Sequence, residues 1–508
     1  RATGPVTVDG TSLYALAGGK IDLSSATSYN HAGTGNSQNR YLRAEGVGAV
    51  IDLSNVTAIT GGTRYNNRLF VEALQGGQVD LRGVQSITDP AEGDTDFRSI
   101  DVVADGVGSE IRLDALTSYT DSNAYDFDRG RYSTLTARNG GTVAAPQLTT
   151  LAGVNLELGG TGTLEYAQIR SLTHGRINLW GEQTWLFSSL ENGLSTEVIV
   201  THARAEFPEL TTLKHGSLTL SRGASVDLPE LSNIDGVSLY AGPGVAIRVP
   251  SATSYNHAGT GISQNRYLHA EGVGALIDLS NVTAITGGTR YNNRLFVEAI
   301  QGGQVDLRGV QSITDPAEGD TDHRSIDVVA DGIGSEIRLD ALTSYTDSNA
   351  YDFERGRYST LAARNGGTLV TSNLTTLRGV SLEVDGTGTL SVSQIGSLTS
   401  GRLVLSGSRD HVLAQLTNAD DTKIYVYAST VHLPILQSLR RGHLAVARGG
   451  IQVPLLEFID GATFDVSGGV TLSVPSATSY KHASTGNGQQ RTWRVDGPGA
   501  RLELANLS

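Results

Sequence analysis

The sequence contains no cysteine and no methionine. Without cysteine there are no disulfides, no thiolate chemistry and no zinc-finger sites. No stretch approaches the roughly 18 consecutive apolar residues of a membrane-spanning helix. Basic residues are also few, with 38 Lys and Arg against 52 Asp and Glu and a net charge of −14. Because a phosphate backbone attracts basic surfaces, we expect no nucleic-acid partner, and we expect no membrane span in this segment.

Charged residues make up only 18% of the chain and proline only 12 residues, whereas glycine is abundant at 62 of 508. The usual share of glycine is about 7%. The chain is too apolar and too regularly patterned to be disordered, and its glycines lack the period of collagen. The sequence begins at Arg1 within a repeating pattern. We therefore expect a folded, glycine-rich piece of a longer polypeptide.

A long repeat organises the sequence. Residues 27–142 recur at 253–368, an offset of 226, with only eight differences. This predicts that residues 1–26 end a preceding repeat, 27–252 form the first long repeat, 253–477 form the second and 478–508 begin a third. We expect all four segments to belong to one continuous solenoid.

A shorter repeat lies inside the long one. Its core is apolar-x-apolar-x-x-apolar-x-x-apolar, as in Ile51, Leu53, Val56 and Ile59, and about twenty such units occur. The first spacing of two fits a strand with one inward face, and the change to a spacing of three predicts a corner. Each unit is then one rung of a three-sided coil, with long loops on part of the rod. Twenty rungs about 4.8 Å apart would give a rod on the order of 95 Å long.

The predicted fold class is all-β, a right-handed parallel β-helix or β-solenoid of about 20 rungs. Helices are not expected, because Thr, Val, Ser and Gly prevail and no run of helix formers is ten residues long. A leucine-rich-repeat horseshoe is the alternative fold. The apolar motif has no fixed asparagine and no helical return segment follows it, which favours the β-helix.

Two segments, 228–236 and 207–213, resemble rungs of right-handed parallel β-helices. The long unit resembles repeats in very large surface proteins of planctomycete-type bacteria. This resemblance covers essentially the whole chain. It implies a location outside the cell or at the cell surface, and a role like that of filamentous adhesins.

Two loops in each long repeat are rich in carboxylates. Because they lie one rung apart, stacking would bring them together, and clustered hard oxygen ligands can hold calcium. The alternative interpretation is a solvated acidic edge paired with arginine. Calcium is the only cofactor that the sequence suggests, and the candidate ligands are Asp89, Glu92, Asp94, Asp96, Asp121, Asp126 and Asp128 in the first repeat and Asp315, Glu318, Asp320, Asp322, Asp347, Asp352 and Glu354 in the second.

Arginines recur near the start of rungs, at Arg40, Arg68 and Arg98 and again at Arg266, Arg294 and Arg324. A spacing of about one rung predicts a column of arginines along the rod. Such a column could bind anionic glycans, but a ladder neutralised by the neighbouring acidic loops is the favoured interpretation, since stacked like charges need compensation. The amides that precede Arg40 and Arg68 are interpreted as structural links between rungs.

Two functional hypotheses follow. The favoured one is a structural segment of a giant extracellular or cell-surface β-solenoid, forming a filament, stalk or adhesin shaft. Its expected partners are other copies, along or between rods, and glycans. The alternative is a polysaccharide-binding or polysaccharide-degrading parallel β-helix protein, which the fold permits. We expect no enzyme activity, because a catalytic constellation is needed once, whereas these groups are repeated, and no G-x-S-x-G or H-E-x-x-H motif occurs.

Overall fold

A computed structural model of the chain describes residues 6–94, 96–123, 132–320, 322–349, 358–427, 429–483 and 489–508. All regular structure in these residues is β-strand. The chain divides into two compact units, Arg1–Asn233 and Ile234–Ser508. In each unit, successive turns of the coil add strands to three parallel ladders, which we name faces A, B and C, and face C has strands in only part of the unit.

The first unit contains nine described strands on face A, nine on face B and six on face C. Face A consists of Leu13–Leu16, Arg40–Glu45, Arg68–Leu74, Ser99–Asp105, Ser133–Arg138, Val154–Leu158, Arg176–Trp180, Glu197–Thr201 and Ser217–Ser221. Face B consists of Lys20–Asp22, Val50–Asp52, Gln78–Asp80, Glu110–Arg112, Thr142–Ala144, Thr163–Leu164, Thr184–Leu186, Arg204–Glu206 and Ser225–Asp227. Face C consists of Tyr29–Asn30, Ala58–Thr60, Ser86–Asp89, Ser118–Asp121, Thr150–Ala152 and Ser171–Thr173.

The second unit repeats this arrangement, with eleven described strands on face A. They are Ser238–Ala241, Arg266–Glu271, Arg294–Ile300, Ser325–Asp331, Ser359–Arg364, Val380–Val384, Arg402–Leu405, Lys423–Val426, His443–Val446, Thr463–Val466 and Trp493–Val495. Face B consists of Ala246–Arg248, Leu276–Asp278, Gln304–Asp306, Glu336–Arg338, Thr368–Val370, Thr389–Leu390, His411–Val412, Ser429–His432, Gly449–Gln452, Thr471–Ser473 and Arg501–Glu503. Face C consists of Ser254–Asn256, Ala284–Thr286, Ser312–Asp315, Ser344–Asp347, Thr376–Arg378 and Ser397–Thr399.

The core of each unit is a set of apolar columns. On face A, Leu42, Val71, Val102 and Leu135 are register partners in successive strands, and all four are fully buried. A single rung cannot cover its own apolar side, so each residue is buried by the rungs above and below it. The described residues therefore form parallel β-solenoids of nine and eleven rungs, which confirms the predicted fold.

The short repeat motif traces one rung as expected. Ile51, Leu53, Val56 and Ile59 are all buried, and the backbone N–H of Val56 donates to the carbonyl of Leu53 at 3.0 Å. This hydrogen bond closes the bend between faces B and C. The spacing of three in the sequence is therefore a tight turn that returns the next apolar residue to the core.

The rungs have two sizes. In the wide rungs, a threonine hydroxyl donates to the backbone carbonyl of a residue 30 or 32 positions earlier in the sequence, as at Thr57 and Thr117. In the narrow rungs, the donor and acceptor of the same hydrogen bond are 20 or 21 positions apart in the sequence, as at Thr211 and Thr417. Face C shrinks in the narrow rungs to isolated bridges, such as that between Asn192 and Thr212. Each unit therefore combines wide rungs with narrow ones.

Candidate functional site: the corner network and the outer side of face A

The acidic loops begin at the ends of face C strands. Asp89 and Asp121 are register partners on successive rungs, and both side chains point into the core and are buried. Asp315 and Asp347 hold the same positions in the second unit. The fold thus brings together two of the predicted calcium ligands in each repeat.

Protein donors already contact both carboxylates, although Asp89 Oδ1 accepts no hydrogen bond from the described residues. Arg98 Nε lies 3.3 Å from Asp89 Oδ2, and Asn123 Nδ2 donates to the same oxygen at 2.6 Å. Asp121 Oδ2 accepts from the backbone N–H and the hydroxyl of Ser133 at 2.9 and 2.8 Å. We call these five residues the corner network. Its second copy is formed by Asp315, Arg324, Asp347, Asn349 and Ser359.

Arg98 also fixes the loop that follows Asp89. Its Nη1 donates to the carbonyl of Glu92 at 2.7 Å, and its Nη2 donates to the carbonyl of Pro90. Burial raises the pKa of Asp89 to about 7, and the charge of Asp121 acts in the same direction, whereas Arg98 opposes it. The network therefore ties neighbouring rungs to the loop at the cost of burying charge.

The other predicted ligands that the structure describes are not part of this network. Glu92, Asp94, Glu318 and Asp320 are exposed in their loops, and Asp96 and Asp322 are partly exposed. Asp126, Asp128, Asp352 and Glu354 lie outside the described residues. Within the described ranges, no three His, Asp or Glu side chains are grouped as a metal site would require. For the complete loops, the calcium site and the alternative of a solvated acidic edge both stay hypotheses.

The predicted column of arginines is wrong in its geometry. Arg40 is in register with Leu69, whereas Arg68 is in register with Ser99, so the arginines are displaced from one rung to the next. The reason is that the loops before these strands differ in length. Neutralisation by the acidic loops is confirmed for Arg98, which pairs with Asp89. Arg68 pairs instead with Asp101 of the neighbouring face A strand at 2.5 Å.

The amides act as predicted. The backbone N–H of Gln38 donates to Asn67 Oδ1 of the next rung at 2.8 Å, and Gln264 and Asn293 repeat this bond.

His31 is fully buried, and its Nδ1 accepts from the N–H of Gly33 at 3.2 Å. Burial lowers the pKa of His31 to about 4, so it is neutral at physiological pH and anchors its loop.

The outer side of face A carries an aromatic row that the sequence analysis missed. Tyr14 and Tyr41 have ring centroids 5.7 Å apart, and Tyr41 stacks on Phe70 at 4.9 Å. The guanidinium of Arg43 lies 5.2 Å from the Tyr41 ring and that of Arg68 lies 4.4 Å from the Phe70 ring. The second unit repeats the row with Tyr240, Tyr267 and Phe296.

A signal for this row exists in the sequence. Tyr41 alternates with the buried Leu42, and Phe70 alternates with the buried Val71, so the period of two places both rings outside. Tyr14 is 46% exposed. A contiguous exposed aromatic surface is typical of a binding site, since aromatic rings offer an apolar face and a polar edge.

Next to the second aromatic row lies a polar cavity of about 170 Å³. Its lining is almost entirely charged or hydroxylated and consists of Arg294, Ser325, Asp327, Tyr358, Thr360, Ser381 and Arg402. Arg294 Nη2 is 2.5 Å from Asp327 Oδ2, and Arg402 Nε donates to the Ser381 hydroxyl at 2.9 Å. These ion pairs and hydrogen bonds hold the polar side chains of the lining in fixed positions.

No protein-family model matches the chain, and neither a curated protein nor a solved structure is significantly similar to it. No helix in the described residues is long and apolar enough to cross a membrane. The fold defines the class, a parallel β-solenoid built from tandem repeats.

Proposed function

We propose that the chain is a structural segment of an extracellular or cell-surface β-solenoid that forms a filament, stalk or adhesin shaft. The observation that supports this proposal is that the corner network occurs in both long repeats. Asp89 with Arg98 recurs as Asp315 with Arg324, and the same backbone partners recur with it. A group that recurs in both long repeats serves the stacking of rungs, whereas an enzyme needs one constellation.

The extracellular location rests on the resemblance of the long repeat to bacterial surface proteins. It is tested by labelling intact cells of the native source with antibodies against the chain. Surface labelling without permeabilisation supports the proposal, and labelling that requires permeabilisation contradicts it.

The absence of catalysis is tested on acidic polysaccharides, where release of new chain ends by the purified chain would favour the enzyme alternative.

The aromatic row favours a second candidate function, the binding of polysaccharide without cleavage. The row is contiguous and partly exposed, and it is flanked by arginine in both units. Stacked rings with cationic neighbours suit flat ligands that carry hydroxyl groups or negative charge.

This second candidate is tested by sedimentation with insoluble polysaccharides. We expect the combined variant Tyr41→Ala and Tyr267→Ala to lose retention. The matched control is Tyr65→Ala with Tyr291→Ala, since these rings are also partly exposed but contact Phe97 and His323 instead of the row. Equal retention of both variants would exclude the row as the binding surface.

A further inference from the structure

Face B is interrupted at the same place in both units. In the first unit the strands Thr163–Leu164 and Thr184–Leu186 belong to different ladders, and in the second unit the same is true of Thr389–Leu390 and His411–Val412. These strands correspond to one another at the offset of 226. The two breaks therefore allow a comparison within one chain.

Two aromatic rings fill the break in the first unit. Tyr166 and Trp185 pack edge to face with their ring centroids 5.7 Å apart, and Trp185 is buried. The hydroxyl of Tyr166 accepts a hydrogen bond from the backbone N–H of Leu186 at 3.3 Å. The phenol ring of Tyr166 thus spans the break and caps an N–H of the strand beyond it.

Both rings are missing from the second unit, where Val392 stands at the position of Tyr166 and His411 at that of Trp185. Replacing large side chains by small ones leaves space unless the surroundings collapse. Here the break contains a cavity of about 290 Å³, with Leu390, Val392 and Val412 among its apolar lining residues. This volume is about twice the roughly 150 Å³ that accommodates a benzene ring.

His411 supplies a hydrogen-bond acceptor to this cavity. Its side chain is buried and lines the cavity, and its Nε2 has no hydrogen-bond partner among the described residues. Burial lowers the pKa of His411, so the ring is neutral at physiological pH, whereas a hydrogen bond with the backbone of Ser406 acts in the opposite direction. Because that bond favours the protonated ring, the neutral ring donates its one N–H there and keeps Nε2 as an acceptor.

The backbone supplies a matching donor. The N–H of Val412 corresponds to that of Leu186, which the hydroxyl of Tyr166 caps in the first unit. Val392 has no hydroxyl with which to replace it. A hydroxyl group can accept from such an N–H and donate its own proton to a histidine nitrogen at the same time.

We propose that this cavity binds a small phenol. The ring of the ligand takes the space that the rings of Tyr166 and Trp185 fill in the first unit. Its hydroxyl accepts from the N–H of Val412 and donates to Nε2 of His411. The site goes beyond the structural role, because it predicts a ligand for the second repeat and none for the first.

The test is calorimetric titration of the full chain with phenol and with toluene, in which a methyl group replaces the hydroxyl. We expect phenol to bind at one site per chain and about tenfold more tightly than toluene, the scale of one hydrogen bond. The double variant Val392→Tyr and His411→Trp restores the aromatic filling with which the first repeat already folds. It should abolish phenol binding.

The reciprocal double variant, Tyr166→Val and Trp185→His, should open a second cavity and raise the number of phenol sites from one to two. Misfolding cannot produce this gain. Absence of phenol binding to the wild-type chain, equal affinity for toluene, or unchanged phenol binding after Val392→Tyr and His411→Trp would each overturn the proposal.

A phenol ring can come from a free small molecule or from a tyrosine side chain of another protein. Titration with N-acetyltyrosinamide distinguishes these sources. We expect it to bind more weakly than phenol, which assigns the cavity to a free phenol. Tighter binding would overturn that assignment and identify a tyrosine side chain as the occupant.

Discussion

Asp89 and Arg98 form an ion pair in which neither side chain is exposed to solvent. The pair joins the end of a face C strand to the residue that precedes the next face A strand. Buried pairs of this kind stabilise a fold little relative to apolar packing, but they are costly to break, because the remaining charge is left without compensation.

We therefore predict that Arg98→Met lowers the free energy of unfolding by about 3–5 kcal/mol. The substitution also leaves the carbonyls of Glu92 and Pro90 without their donor. Urea denaturation followed by circular dichroism measures the loss. The control is Arg170→Met, since Arg170 and Glu191 are 3.8 Å apart and both mostly exposed, and its effect should stay below about 1 kcal/mol. Similar losses in both variants would contradict this role of the corner network.

The corner network also predicts a pH dependence. Burial raises the pKa values of Asp89 and Asp315 to about 7, above the ordinary value of 3.8. The folded state therefore binds more protons than the unfolded state between about pH 4 and pH 7, and this contribution to stability is lost as the pH rises through that window. Thermal unfolding at several pH values should show the decline.

The double variant Asp89→Asn and Asp315→Asn tests whether these two carboxyl groups cause the pH dependence. Asparagine does not titrate, so the decline in melting temperature between pH 4 and pH 7 should flatten. A slope identical to that of the wild-type chain would assign the pH dependence to other groups.

A third prediction concerns the glycine turn between faces A and B. A Cβ on Gly77 would overlap the backbone carbonyl of Ala44 on the preceding rung, whereas a Cβ on Gly450 would meet nothing within 4 Å. Gly77→Ala should cost more than about 1 kcal/mol, because backbone must move to admit it. Gly450→Ala should be neutral or stabilising by up to about 1 kcal/mol. Equal unfolding free energies for the two variants would contradict the close approach of the rungs.

A fourth prediction concerns calcium. The inward carboxylates Asp89 and Asp121 are held by Arg98, Asn123 and Ser133. We therefore expect a chelator to leave the melting temperature unchanged. A rise of the melting temperature on addition of calcium, absent from a variant with Asp94→Asn and Asp320→Asn, would instead support the loops as metal sites.

The sequence predicted the rungs because their cause is local. The spacing of Ile51, Leu53, Val56 and Ile59 depends only on which residues face the core, and the structure places all four there. The inward position of Asp89 could also have been found, since it alternates with the buried Ile87. Its pairing with Arg98 could not, because that contact depends on how the intervening loop folds back.

The polar cavity was beyond sequence analysis for a similar reason. Arg294 and Arg402 are more than a hundred positions apart, and only the register of face A places them around the same space.

The most direct test of the structural role is cryo-electron microscopy of the native protein. In the second unit, nine face A strands run from Arg266–Glu271 to Thr463–Val466 before Trp493–Val495 begins the next copy. Nine steps of about 4.8 Å predict fibres with an axial period of about 43 Å, in which wide and narrow zones alternate. Isolated particles, or fibres without this period, would contradict the account.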